Sequence, residues 1–172
     1  LNRELALNHI IPYIKKSDII VSTTGFTSRE LYEYRATTTK NHSSDFLTVG
    51  GMGHASQIAL GIALQKRNKN IYCFDGDGAL LMHMGSLAIN AELNCKNFKH
   101  IVFNNGSHES VGGQPTVGHN INIKNVAKDL GYGLVIVAKT YAQIKIGIKK
   151  VQSYKKGAAL IQRCYLRVQP PQ

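Results

Sequence analysis

The sequence predicts an α/β protein of three layers, a six-stranded, mostly parallel sheet with helices on both faces, and three observations predict it. Short apolar runs of strand type alternate with stretches of helical periodicity along the chain. Polar, glycine-rich junctions follow successive strand-like runs, as "GGMGHAS", "DGDGA" and "NNGSHES". The length of 172 residues, 43% of them hydrophobic, suffices for one core of ordinary domain size, so residues 1–172 are read as a single domain.

The elements follow in order. Leu5, Ile10, Ile11 and Ile14 are spaced as on an entry helix, and Asp18 to Val21 reads as the first strand. "STTGFTSRELYEYR" reads as a loop into a short helix with Thr27 or Ser28 as N-cap, and "ATTTKNHSSD" as a surface connection. Phe46 to Val49 is the second strand, and Gly50-Gly51-Met52-Gly53 turns into a helix that reaches about Gln65. Ile71 to Phe74 is the third strand. The helix after it is expected over Ala79 to Leu93, with Leu80, Met84, Leu87, Ala88 and Ala91 on one face. Leu81, Met82 and Ile89 make its other face apolar, which predicts burial all round. "KHIVFNNG" is the fourth strand, a glycine-rich loop spans 106–120, and Asn122 caps a helix ending at Gly131. "LVIVA" is the fifth strand, Thr140 with Gln143 forms a capping box for a helix through about Ser153, and "AALIQRC" is the sixth strand before a loose "QPPQ" tail.

Composition narrows the class. The apolar runs are too short for a membrane span, and nothing near Leu1 has the form of a signal peptide. Cys73, Cys95 and Cys164 are widely spaced and read as reduced core thiols, which points to a cytoplasmic setting. The formal charge is +11, but Lys145, Lys149 and Lys150 interleave with isoleucines as on a solvated helix face, and no nucleic-acid module accompanies them. The first residue is Leu1 rather than Met, which leads us to expect chain upstream or processing.

The chemistry gathers at the junctions. In a parallel sheet the carboxyl ends of the strands open on one edge, so the three loops can converge. Asp77 offers a carboxylate, Asn105 an amide oxygen and the loop after it backbone carbonyls. A hard, oxygen-only set with few charges suits magnesium sharing its shell with a phosphate, and does not suit zinc. Gly76, Gly78 and Gly106 let the backbone approach a bulky anion, and the helix expected from Ala79 aims its N-terminus at it. A diphosphate-bearing cofactor follows. Asp75 is read as a turn or cap residue, His83 as a core histidine, and Arg29 with Glu30 as a helix-start ion pair; His9, His42, His100 and His119 show no partner pattern.

Gly76-Asp77-Gly78, then residues 79–103, then Asn104-Asn105 resembles the signature of thiamine-diphosphate enzymes. The resemblance implies a thiamine-diphosphate-binding fold with Mg²⁺ held by Asp77, Asn105 and the main-chain oxygen of Ser107. It implies that Met52 props the cofactor bent, that Gly51 and Gly53 receive the pyrimidine, and that Gly76, Gly78 and Ala79 adjoin the diphosphate. "STTGFTSRELYE", "DFLTVGGMGHASQIALGIAL", "DGDGALLMHMGSLA" and "NFKHIVFNNGSHESVGGQPTVG" are similar to the phosphonopyruvate and sulfopyruvate decarboxylase family over residues 17–119. That likeness implies decarboxylation of a small anionic 2-oxo acid, phosphonopyruvate to phosphonoacetaldehyde first and sulfopyruvate as the alternative. His108 is then the preferred substrate or proton-transfer residue, with His54, Ser110, Gln114 and Thr116 at or near the loops. The activating glutamate of such enzymes comes from a pyrimidine-binding domain that these residues do not supply. The expectation is a homo- or hetero-oligomer, or else a cofactor-binding subunit without chemistry of its own. A dinucleotide-binding domain is the weaker competitor, because no G-x-G-x-x-G follows the first strand.

Overall fold

The structure, a computed structural model, describes residues 2–163. The chain runs α1 (Arg3–Ile10), a 3-10 turn (Ile11–Tyr13), β1 (Ile19–Ser22), α2 (Phe26–Thr37), β2 (Asp45–Leu47), α3 (Ala55–Gln65), β3 (Ile71–Gly76), α4 (Asp77–Met82) and α5 (Ser86–Leu93). It continues β4 (Phe98–Asn104), a small hairpin of β5 (Ser107–His108) and β6 (Gln114–Pro115), α6 (Ile123–Asp129), β7 (Leu134–Ala138), α7 (Tyr141–Ser153) and β8 (Ala158–Arg163).

All six long strands pair in parallel in the order β2-β1-β3-β4-β8-β7. Alternation along each strand divides the core into two layers. One face carries Ile20, Tyr72, Phe74, Ile101 and Phe103 against α1, α2 and α7, with Phe74 and Phe103 in an edge-to-face contact of 5.5 Å. The other carries Val21, Cys73, Phe98 and Val102 against α3, α5 and α6. The central strands are buried on both sides, which is why they read as continuous apolar runs. Cys73 is buried and Cys95 half-buried, both free thiols; Cys164 and the tail lie outside the described residues.

Several expectations change. The N-cap of α2 is Gly25 at φ 96, not Thr27 or Ser28. The helix begins at Phe26, ahead of both expected caps, and the Ser28 hydroxyl donates back to the Thr23 carbonyl at 2.7 Å, tying helix to strand end. β2 is an edge strand paired only to β1, so it stops at Leu47 and leaves Val49 98% exposed. The helix expected over 79–93 starts at Asp77 and breaks at His83–Gly85, where the Ser86 N–H donates to the His83 carbonyl at 2.9 Å. The break re-aims the second half, and Met82 at 56% and Ile89 at 52% exposure lie outside the core. The capping of α6 by Asn122 and of α7 by Thr140 is present, though Gln143 reaches the Lys139 N–H rather than that of Thr140.

Candidate functional site

β1 has β2 on one side and β3 on the other, so the chain order reverses between β1 and β3. Crevices of this kind at the carboxyl ends of strands are where open α/β sheets place ligands. The pocket found there is lined by Thr23 and Thr24 after β1, Met52 in the turn before α3, Gly76, Asp77, Gly78 and Ala79 at the β3–α4 junction, and Asn105, Ser107 and His108 after β4. Three of the predicted junctions therefore meet, and a fourth, "STTG", joins them. Thr23 and Thr24 were not singled out from the sequence; their signal is a polar Ser-Thr-Thr-Gly run at a strand end, the same signal that marked the other three.

Asp77 is 1% exposed and is the first residue of α4, directly after the last residue of β3. The Asn105 N–H donates to its Oδ1 at 3.3 Å, and the Thr116 hydroxyl donates to its Oδ2 in a short contact. Thr116 is itself pinned by the Gly118 N–H at 3.1 Å, and Asn104 Nδ2 donates to the Gly118 carbonyl at 2.6 Å, so the loop folds over the carboxylate. Burial pushes the Asp77 carboxyl above its usual value, against the pull of Thr116, the two backbone amides and His119. A cation at this carboxylate would offset that burial.

Close backbone approach is built in. A Cβ on Gly78 would lie 2.4 Å from His108 Cε1, so the His108 ring packs directly against the first turn of α4. Gly50, Gly51 and Gly53 have φ of 79, 56 and 90, which tightens the turn carrying Met52, and a Cβ on Gly53 would lie 2.9 Å from the Ala79 carbonyl. His54 is the exposed N-cap residue of α3, makes no capping hydrogen bond, and meets His83 in a tilted ring contact at 4.2 Å; neither lines the pocket with Asp77. The exposed His83 at the break after α4 replaces the core histidine expected there.

Arg3, Glu109 and Ser110 close one side of the pocket. Arg3 donates to both Glu30 oxygens at 2.8 and 2.7 Å and to Glu109 at 2.6 Å. Glu30 thus pairs with Arg3 rather than with Arg29, whose guanidinium lies over Phe26 at 5.3 Å. The clasp joins α1 and α2 to the loop that carries Ser107 and His108.

The residues fit a divalent cation shared with a phosphate. Asp77, Asn105 and Ser107 all line the pocket and offer a carboxylate, an amide oxygen and a main-chain carbonyl, which are hard donors. Thr23 Oγ1, Asn105 Nδ2 and Ser107 Oγ are buried there without a hydrogen-bond partner, and all three can donate to an anion's oxygens.

The profile described as thiamine pyrophosphate enzyme, C-terminal TPP binding domain, matches residues 23–163, and the chain belongs to that family. Within it, the chain is 38% identical over 133 residues to phosphonopyruvate decarboxylase of Streptomyces hygroscopicus, a match covering 77% of this chain and 32% of that protein. It is 36% identical over 126 residues to the sulfopyruvate decarboxylase subunit beta of Methanocaldococcus jannaschii, covering 73% of this chain and 64% of the subunit. The chain therefore spans about a third of the first relative and under two thirds of the second. Benzoylformate decarboxylase from Polynucleobacter necessarius shares the fold, with a TM-score of 0.78 at 16% identity over 99% of this chain and 34% of that one. Among the described residues no helix is long and apolar enough to cross a membrane.

Proposed function

We propose that the chain is the cofactor-binding half of a thiamine-diphosphate- and Mg²⁺-dependent 2-oxo acid decarboxylase, with phosphonopyruvate as substrate and phosphonoacetaldehyde and CO₂ as products. The observation that carries this reading is the buried Asp77 carboxylate at the head of α4, ringed by donors without partners, in a chain of this family. Asp77, the Asn105 side chain and the Ser107 main-chain oxygen hold the metal. Thr23, the second Asn105 amide atom and the Ser107 hydroxyl receive diphosphate oxygens, while Gly76, Gly78 and Ala79 let the backbone come close.

Bound there, thiamine diphosphate supplies an electron sink for the pair left when CO₂ departs from a 2-oxo acid. The chain's own residues position and shield. Met52 lines the pocket and would prop the cofactor bent, and the backbone at Gly51 and Gly53 would receive its pyrimidine. His108, held against Gly78, binds the anionic end of the substrate or carries its proton, and His54, outside the pocket lining, is the second histidine available to a substrate. The activating glutamate comes from a pyrimidine-binding domain or subunit, and the working enzyme is a homo- or hetero-oligomer.

Sulfopyruvate is the second reading. It is favoured by the share of length covered, since a relative that is itself a separate subunit matches this chain over 64% of its length. Calorimetric titration with thiamine diphosphate and Mg²⁺, alone and with a pyrimidine domain added, tests the reading while CO₂ release from each 2-oxo acid is followed. The expected result is metal-dependent binding and turnover only in the mixture. Failure of both samples to bind the cofactor overturns the reading.

A further inference from the structure

Beneath the pocket, on the sheet face covered by α3, α5 and α6, Cys73, Asp75 and His100 are fully buried with candidate ligand atoms within 4.8 Å of one another. The β3–β4 register sets Cys73 beside His100, with Asp75 one pleat further toward the site. The cluster is closed on itself rather than open to an ion. His100 Nε2 lies 3.2 Å from Asp75 Oδ2, His100 Nδ1 lies 3.1 Å from the Tyr132 hydroxyl, and Asp75 Oδ1 accepts the Gly76 N–H at 3.0 Å. Burial, and then the charge of Asp75, push the Cys73 thiol well up, which leaves it protonated and a poor ligand.

The hydrogen bonds form a continuous run from Gln57 through Asn90 and Tyr132 to His100 and Asp75, along which one consistent proton direction can be drawn. Gln57 Nε2 donates to Asn90 Oδ1 at 2.8 Å, which orients the Asn90 amide so that its Nδ2 donates to the Tyr132 oxygen at 3.1 Å. With its oxygen accepting from Asn90, the Tyr132 hydroxyl has its own hydrogen to give to His100 Nδ1. His100 is left with its proton on Nε2, aimed at Asp75. None of these side-chain atoms is among the buried groups without a partner.

Local sequence leaves Asp77 free to wander. Glycines flank it on both sides, and α4 has no side-chain cap. Thr116 and the Asn105 amide hold the Asp77 carboxylate and the β3–β4 ladder holds Gly76, and at the entry to α4 the Asp75 carboxylate is folded onto the Gly76 amide. We propose that His100 is a positioning residue for the metal site: held as the Nε2–H tautomer by Tyr132 and Asn90, it locks Asp75 onto the Gly76 peptide and so sets where Asp77 presents its carboxylate. The inference rests on the Mg²⁺–diphosphate reading above. It extends the device by which buried partners behind a ligand orient it.

The test uses ¹⁵N-labelled chain, a Tyr132→Phe variant that keeps the ring, and a Val135→Ala control that removes a core side chain next to Tyr132 without touching the hydrogen-bond chain. Long-range imidazole correlation spectra of the wild type are expected to show His100 protonated on Nε2. Tyr132→Phe is expected to shift the Gly76, Asp77 and Asn105 amide resonances and to weaken Mg²⁺-dependent thiamine diphosphate binding about tenfold. Val135→Ala, compared at equal folded fraction, is expected to leave that binding unchanged. A wild-type Nδ1–H tautomer, unmoved Gly76 and Asp77 amides in Tyr132→Phe, or an equal binding loss in Val135→Ala each overturns the inference. If wild type itself binds no cofactor, the functional reading falls, and the tautomer and amide shifts still decide whether His100 positions Asp77.

Discussion

Asp18, Asn97 and Lys99 at the amino edge of the sheet are 4%, 7% and 0% exposed, as deeply buried as Asp77, Asn105 and Ser107 at 1%, 5% and 7% on the carboxyl edge. Their hydrogen bonding differs. Asp18 accepts from the Asn70 N–H and side chain, Asn97 Nδ2 donates to the carbonyls of Ala63, Lys66 and Lys69, and Lys99 Nζ donates to those of Lys96 and Tyr154. On the carboxyl edge Thr23 Oγ1, Asn104 Oδ1, Asn105 Nδ2 and Ser107 Oγ are buried without partners. One edge spends its polar groups on the fold; the other holds them for something outside it. A buried polar residue therefore says little about function until its partners are counted.

Three substitutions would break or sharpen that contrast. Asp77→Ala is expected to weaken metal-dependent cofactor binding more than about a hundredfold, roughly 3 kcal/mol, while leaving the unfolding midpoint of the free chain unchanged or raised. Calorimetry and denaturant melts check the pair of outcomes. Asn97→Ala should do the reverse, lowering stability by about 2 kcal/mol through lost bonds and stranded carbonyls, with cofactor affinity untouched. If Asn97→Ala lowers affinity as well, the two edges are not independent.

The smallest effect concerns Lys99, whose ammonium is pushed down from 10.5 to about 8 by burial and then by Lys155. A base whose folded value lies below its unfolded value leaves the unfolded chain holding more protons between those limits, so stability should rise across that window. The gain over the first pH unit above that folded value is on the order of 1 kcal/mol. Cys73 and Tyr132, raised by burial, act in the opposite sense. The comparison is therefore wild type against Lys99→Met, in which the rise should vanish.

The strand ends were legible because their signal is local: an apolar run closed by Asp-Gly or Asn-Asn needs no knowledge of what packs against it. The break in the expected 79–93 helix was not, since Leu80, Met84, Leu87 and Ala91 keep an unbroken helical period through it, and only Gly85 marks the place. Thr116 on Asp77 and His100 on Asp75 were equally hidden, because each pair joins residues far apart in sequence whose meeting depends on strand register and loop path. The Arg3 clasp belongs with them: pairing Glu30 with its neighbour Arg29 was the economical reading of the sequence, and only the packing of α1 on α2 supplies the other arginine.

The strand order carries a consequence for how the chain is made. β8, at residues 158–163, lies between β4 and β7 and pairs with both, while β4 and β7 do not pair with each other. During vectorial synthesis β7 and α7 leave the ribosome before the strand that seats them exists. Until then β4 exposes an unpaired, strongly apolar edge able to pair with another nascent chain. β7 is thus seated only once β8 pairs with β4, and the yield of folded protein is expected to respond to temperature and to chaperone supply during that interval.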